Sequence, residues 1–149
     1  MSSLERLLRR MRGLDGVRLG RGLPETRILE AEHALGHAIR GQYRLFLREV
    51  GWAALPHDDV YGLGRDDFPD VVRVTKSERT EMEPRIPPHL LPVMNDGFGN
   101  LYCLDVRHPE PPVVFWDHHR GRDQQPERIA DDLASWLLER IEGATDPRR

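Results

Sequence analysis

Asp117-His118-His119 is the run in this chain whose residue types come closest to a reaction centre. Neutral imidazoles and a carboxylate are common ligands of zinc and related ions, and similar runs serve metal-dependent phosphoesterases, where the bound ion activates water. Side chains leaving a strand point alternately to opposite faces, so at most two of the three are expected to converge. No other Asp-rich motif with ligand spacing accompanies them. A second acidic concentration, His57-Asp58-Asp59 followed by Asp66 and Asp67, lacks the alternate-residue spacing of a calcium loop and reads as solvated surface. The glycine-containing stretch from Asn95 to Asn100 joins two apolar runs and has no helix behind it to supply amides and a dipole, so it is a turn and not a phosphate cradle. Cys103 lies inside a strand pattern, where a buried and inert thiol is expected, and no Ser or Cys stands in a recognisable triad. The residues therefore define no cofactor site and no complete catalytic constellation. A metal-dependent hydrolase built on Asp117, His118 and His119 is the enzymatic alternative.

The elements that position these residues follow from composition and periodicity. A chain of 149 residues is the size of one domain. Its 38% hydrophobic content supports one core, and its 32% charged content gives a heavily ionised surface. A formal charge of −3 supplies no basic stripe for a phosphate backbone, so direct nucleic-acid binding is not expected. No apolar run approaches the roughly 20 residues that span a bilayer. Arg6, Arg9 and Arg10 interrupt Leu4, Leu7, Leu8 and Met11, which rules out a secretory apolar segment there and makes a cytoplasmic location the expectation.

Leu4, Leu7, Leu8 and Met11 sit at helical spacing and predict a basic amphipathic helix packed on its own domain. A connector containing Gly13, Gly16, Gly20 and Gly22 follows. Ile28, Ala31 and Leu35 predict a second helix, and Ile39, Tyr43, Phe46, Leu47 and Val50 a third that ends at Gly51. A short strand is expected at 60–63. Thr75 and Glu78 form a capping-box pattern that predicts a helix starting at Thr75 and reaching about Glu83. The Asn-Asp-Gly-Phe-Gly-Asn turn between 90–94 and 101–106 predicts a β-hairpin, and 113–116 a further strand. Ile129, Leu133, Trp136, Leu137 and Ile141 then predict a closing amphipathic helix over the sheet. Tyr43, Phe46 and Trp136 read as core, whereas Trp52 and Trp116 fall at element ends, where exposed aromatics anchor interfaces.

The order of helices, with YGLG, LLPVMNDGFGNLYCLD, PPVVFWDH and IADDLASWLLERI, resembles the SUKH superfamily, which comprises the yeast cell-wall-assembly regulator and many bacterial immunity proteins. The hairpin with its Asp-Gly turn and the following Tyr-Cys-Leu-Asp is the most specific part. The resemblance divides the chain into a basic helix and connector at 1–23, a SUKH-like domain at 24–142 and a frayed tail at 143–149. It implies a single α+β domain, with a mixed or antiparallel sheet around a central hairpin, flanked by N-terminal helices and a C-terminal amphipathic helix. It also implies a non-enzymatic protein-binding role. Bacterial members are similar in serving as antidotes that block polymorphic toxins by direct contact, so a cognate toxin domain is the expected partner. A regulatory scaffold for an endogenous partner is the alternative. The surface expected to bind consists of Trp52, the acidic residues Asp58, Asp59, Asp66 and Asp67, the turn residues Asp96 and Asn100, and the rim Trp116, Asp117, His118 and His119. An acidic surface of this kind would steer a basic partner through association rate more than through final affinity.

Overall fold

The apolar stripes close into helices wherever a cap is at hand. In the computed structural model, which describes residues 1–64 and 69–145, α1 (Ser3–Arg12) begins where the Ser2 hydroxyl accepts from the Glu5 amide at 3.1 Å. Its Leu4, Leu7, Leu8 and Met11 are buried, and the helix packs against the closing helix of the same chain. This is the intramolecular docking that the stripe implies. α2 (Glu25–Leu35) and α3 (Gly41–Glu49) bury Ile28, Ala31 and Leu35 and Tyr43, Phe46 and Leu47 respectively, and the two helices pack together. The Tyr43 hydroxyl donates to the Tyr61 carbonyl at 2.7 Å, so the one polar atom of that buried ring is satisfied.

The glycine-containing connector is not merely a linker. It contributes β1 (Arg18–Leu19), which pairs antiparallel with β2 (Ala53–Ala54), and β2 pairs in turn with β3 (Asp59–Val60). Gly20 is required there, because a Cβ would overlap the Val50 carbonyl oxygen and the Trp52 indole. The expected strand at 60–63 is thus shorter and starts one residue earlier.

Helix α4 (Val71–Thr80) starts four residues before the capping-box reading placed it. Asp70 is the cap, its Oδ1 accepting from the Val72 and Arg73 amides at 2.8 and 3.0 Å. A carboxylate in that position satisfies two orphan amides, and burying Val71 extends the apolar face by a turn. Thr75 therefore lies inside the helix, fully buried, with no hydrogen-bond partner for its hydroxyl.

The larger sheet is antiparallel, in the order β4 (Leu90–Asn95), β5 (Leu101–Asp105), β6 (Val113–Trp116), β7 (Glu127–Ala130). The register pairs Leu101 with Trp116 and Cys103 with Val114, so these four side chains share one face. With Ile86 and Leu90 they form a second, smaller apolar cluster. The opposite face, through Leu91, Val93, Leu104 and Val113, joins the main core with the helices. The expected closing helix begins later than its stripe. Ile129 belongs to β7, and α5 (Leu133–Thr145) starts only after Asp132, whose Oδ1 accepts from the Ser135 amide at 2.8 Å. Five helices and two antiparallel sheets of three and four strands thus make one α+β domain among the described residues.

Candidate protein-binding surface

The β4–β5 turn is built by its own side chains. Asn95 Oδ1 accepts from the Gly97 amide at 2.7 Å. Asp96 Oδ1 accepts from the Phe98 amide at 2.8 Å and the Asn100 amide at 3.1 Å, while its Oδ2 accepts from Asn100 Nδ2 at 2.8 Å. The Asp96 amide closes the ring by donating to the Asn100 carbonyl at 3.0 Å. Partial burial raises the Asp96 pKa, but the hydrogen bonds from Asn100 and from the Phe98 amide outweigh it and hold the carboxyl below its ordinary value. With Asp96 and Asn95 bonded inward, the turn displays Phe98, which is 81% exposed.

Two neighbouring segments pack beside this turn. The segment after β2 brings Pro56, His57, Asp58 and Asp59 to line a groove of about 430 Å³ with Tyr61, Asn95, Asp96 and Gly97. On the other flank, Asn100 Oδ1 accepts from the His118 backbone amide at 3.1 Å and from His118 Nδ1 at 2.7 Å. Gly99 lets this happen, since a Cβ there would lie 3.0 Å from the His118 ring. The acidic loop, the hairpin turn and the segment 117–119 are therefore three adjoining parts of one surface.

Individual residues depart from their expected parts in it. Trp116 is 1% exposed, inside the second cluster, because its position opposite Leu101 faces that buried side of the sheet. It is not an exposed anchor. Trp52 is half-buried over Gly20 and lines a different hollow, with Leu19, Leu23 and Leu63. Asp58 is held by Arg140 of α5 in a bidentate pair at 2.9 and 3.2 Å. The same guanidinium lies 4.9 Å from the centre of the Tyr102 ring and 5.9 Å from that of Trp136. Asp59 is exposed. Asp66 and Asp67 lie outside the described residues.

Asp117, His118 and His119 also depart from expectation. One ligand atom from each lies within 4.8 Å of the others, so all three converge and not two. The alternation argument fails because the backbone turns at 118–119 instead of continuing extended. Asp117 Oδ1 accepts from the His119 amide at 2.9 Å, and Gln124 Nε2 donates to the Asp117 carbonyl at 2.7 Å, which fixes the turn.

Phe98 and Arg140 were not singled out by sequence reasoning. The signal for Phe98 was present: an aromatic inside an Asn/Asp/Gly turn belongs to no strand or helix face on which it could hide. Arg140 reaches a partner 82 residues away, and no local pattern announces that.

The architecture and this surface define an α+β domain that displays a rigid hairpin turn beside an acidic loop. The chain matches the model of the SMI1-KNR4 cell-wall family, SUKH_6, over residues 25–137, and it belongs to that family within the SUKH superfamily. No curated protein matches it. Membership is consistent with an immunity-protein-like or SMI1/KNR4-like domain. Among the described residues, no helix is long and apolar enough to cross a membrane.

Proposed function

We propose that this chain is a non-enzymatic, stoichiometric protein-binding domain that neutralises a cognate polymorphic toxin by direct contact in the cytoplasm. The observation that carries this reading is Phe98, a large aromatic left 81% exposed on a turn that five hydrogen bonds hold in one shape. A soluble protein gains nothing for its own stability from such a group, whereas a rigid aromatic that fills a partner's pocket is the usual anchor of an interface. Asp59 and the acidic groove beside the turn supply the charge that would steer a basic partner. Family membership supports a protein partner in general terms.

The test is to titrate the purified chain into the toxin domain encoded beside it. Inhibition complete at one equivalent, with a complex of matching stoichiometry, is the expected result. Unaltered toxin activity together with no complex would refute the immunity reading. The family's description as cell-wall favours one other reading, a regulatory scaffold for an endogenous protein, in which the same surface engages a partner of the cell's own.

A further inference from the structure

We propose that Asp117, His118 and His119 form a binding site for a divalent ion of the zinc class, aligned by Asp96 acting through Asn100. The inference starts from the protons. A carboxylate can only accept hydrogen bonds, so the Asn100 atom 2.8 Å from Asp96 Oδ2 is its NH₂, and the other side-chain atom is the carbonyl oxygen. That oxygen accepts from His118 Nδ1 at 2.7 Å, which fixes the proton on Nδ1. The lone pair of His118 is then confined to Nε2, the state in which a neutral imidazole binds a metal. Histidine ligands in metal sites are oriented in this way, with the second ring nitrogen donating to an oxygen that is itself held.

His118 does not stand alone. Its ring lies 3.8 Å from that of His119, centre to centre, and His119 Nδ1 is 3.5 Å from Asp117 Oδ1. Tetrahedral zinc, with ligand bonds of about 2.0–2.2 Å, places its ligands roughly 3.3 Å apart. One nitrogen of each imidazole and one Asp117 carboxylate oxygen lie within 4.8 Å of one another, so side-chain rotations bring the three groups to ligand spacing. His119, whose side chain is 77% exposed, is free to make them. One cation already stands nearby: Arg120 Nε is 3.7 Å from Asp117 Oδ2. Arg120 is largely exposed, so the pair is worth little and an incoming dication displaces it. Two imidazoles and one carboxylate favour zinc, nickel or copper over magnesium or calcium, with water completing the shell. The site lies within the surface assigned to the partner but does not depend on that assignment.

The experiment uses the full, metal-free chain titrated with zinc chloride in a calorimeter, with magnesium chloride as control. One equivalent of zinc and no magnesium should bind. His118→Ala and His119→Ala should each weaken zinc binding at least tenfold, while His108→Ala leaves it unchanged. Asn100→Ala removes no ligand and should weaken it about tenfold, the usual cost of losing an orienting partner. Long-range ¹H–¹⁵N spectra of the metal-free protein should show His118 as the Nδ1–H tautomer, and Asn100→Ala should abolish that preference. His119→Ala, at an exposed position, reports on a ligand without threatening the fold, and a thermal melt checks that the half-buried His118→Ala chain is folded. The proposal is overturned if the wild-type chain takes up no stoichiometric zinc, or if zinc binds equally well to the His118→Ala and His119→Ala chains.

Discussion

Phe98→Ala separates folding from binding more cleanly than any other change in this chain. The ring is 81% exposed, so truncating it removes almost no buried contact and should shift unfolding by less than about 0.5 kcal/mol. Bound, the same ring would leave water. A phenylalanine side chain offers about 150 Å² at the low end of the aromatic range, of which roughly 120 Å² is still open here. At about 25 cal/mol per Å² that area corresponds to ~3 kcal/mol, or about two orders of magnitude in Kd. Little of it should be lost to ordering, because Asp96 and Asn95 already fix the backbone that holds the ring. The assay is calorimetric titration of wild type and variant against the partner, beside thermal melts of both. An unchanged melt with Kd weakened about 100-fold is the expected pair of results. A variant that folds normally and binds the partner as tightly as wild type would remove the observation on which the function rests.

Three further outcomes follow from other parts of the structure. Asp58→Ala strands the partly buried Arg140 guanidinium, whose side chain is only 28% exposed, and should cost about 2 kcal/mol, below the range for fully buried pairs. That lowers the melting temperature by roughly 4–8 °C at this chain length. Asp59→Ala, on an exposed position, should leave the melt unmoved, and equal melts for the two variants would refute the structural role given to Asp58. Thr75→Val removes a buried hydroxyl that has no partner and keeps the shape, so denaturant unfolding should show a gain of about 1 kcal/mol; a loss would mean the hydroxyl is satisfied. His37 donates from Nδ1 to the Ala38 carbonyl at 3.0 Å and receives Arg79 on Nε2 at 3.0 Å, a neutral ring. Burial lowers its pKa and outweighs the hydrogen bond to the Ala38 carbonyl, which raises it; the Arg79 charge lowers it further, and Glu32 opposes that weakly. The unfolded chain therefore takes up a proton that the folded chain refuses. Stability is full above the ordinary histidine pKa and falls as pH drops below it, until the lowered folded pKa is reached. His89, also lowered chiefly by burial, adds to the slope. Denaturation at about pH 7.5 and about pH 5.5 should show this loss, reduced in His37→Gln; an identical loss in both chains would refute it.

Much of the fold was legible because periodicity and turn chemistry agreed. Leu4, Leu7, Leu8 and Met11 are one buried stripe, and the Asn-Asp-Gly-Phe-Gly-Asn run is the hairpin turn. The failures have physical causes. Strands of two residues, such as β1 and β2, are too short to alternate. Ile129 lies four residues before Leu133 and so mimics a helical position, yet the sheet captures it, because pairing with β6 satisfies backbone groups that an extra helical turn would otherwise have used. Thr75 and Glu78 satisfied a capping pattern, but Asp70 offered a better acceptor together with one more buried valine.

The surface was legible by place and not by role. The acidic loop, the turn and 117–119 do adjoin, yet several residues chosen for their charge or ring are occupied by the fold itself. Asp58 holds Arg140, Trp116 fills the second cluster, and Asp96 and Asn100 bond the turn. Charge in a sequence marks a group that must be solvated or paired, and does not say which. The two outcomes diverge here through contacts far apart in the chain, Asp58 to Arg140 and Asn100 to His118. What those internal bonds leave facing outward is Phe98 at the tip, Asp59 beside it and the imidazole of His119 on the other flank. The inward-facing polar groups are thus the reason the outward-facing ones have a fixed geometry. Loosening Asp96 should therefore degrade recognition at Phe98 and metal binding at His118 together, because its carboxylate holds both the turn amides and Asn100.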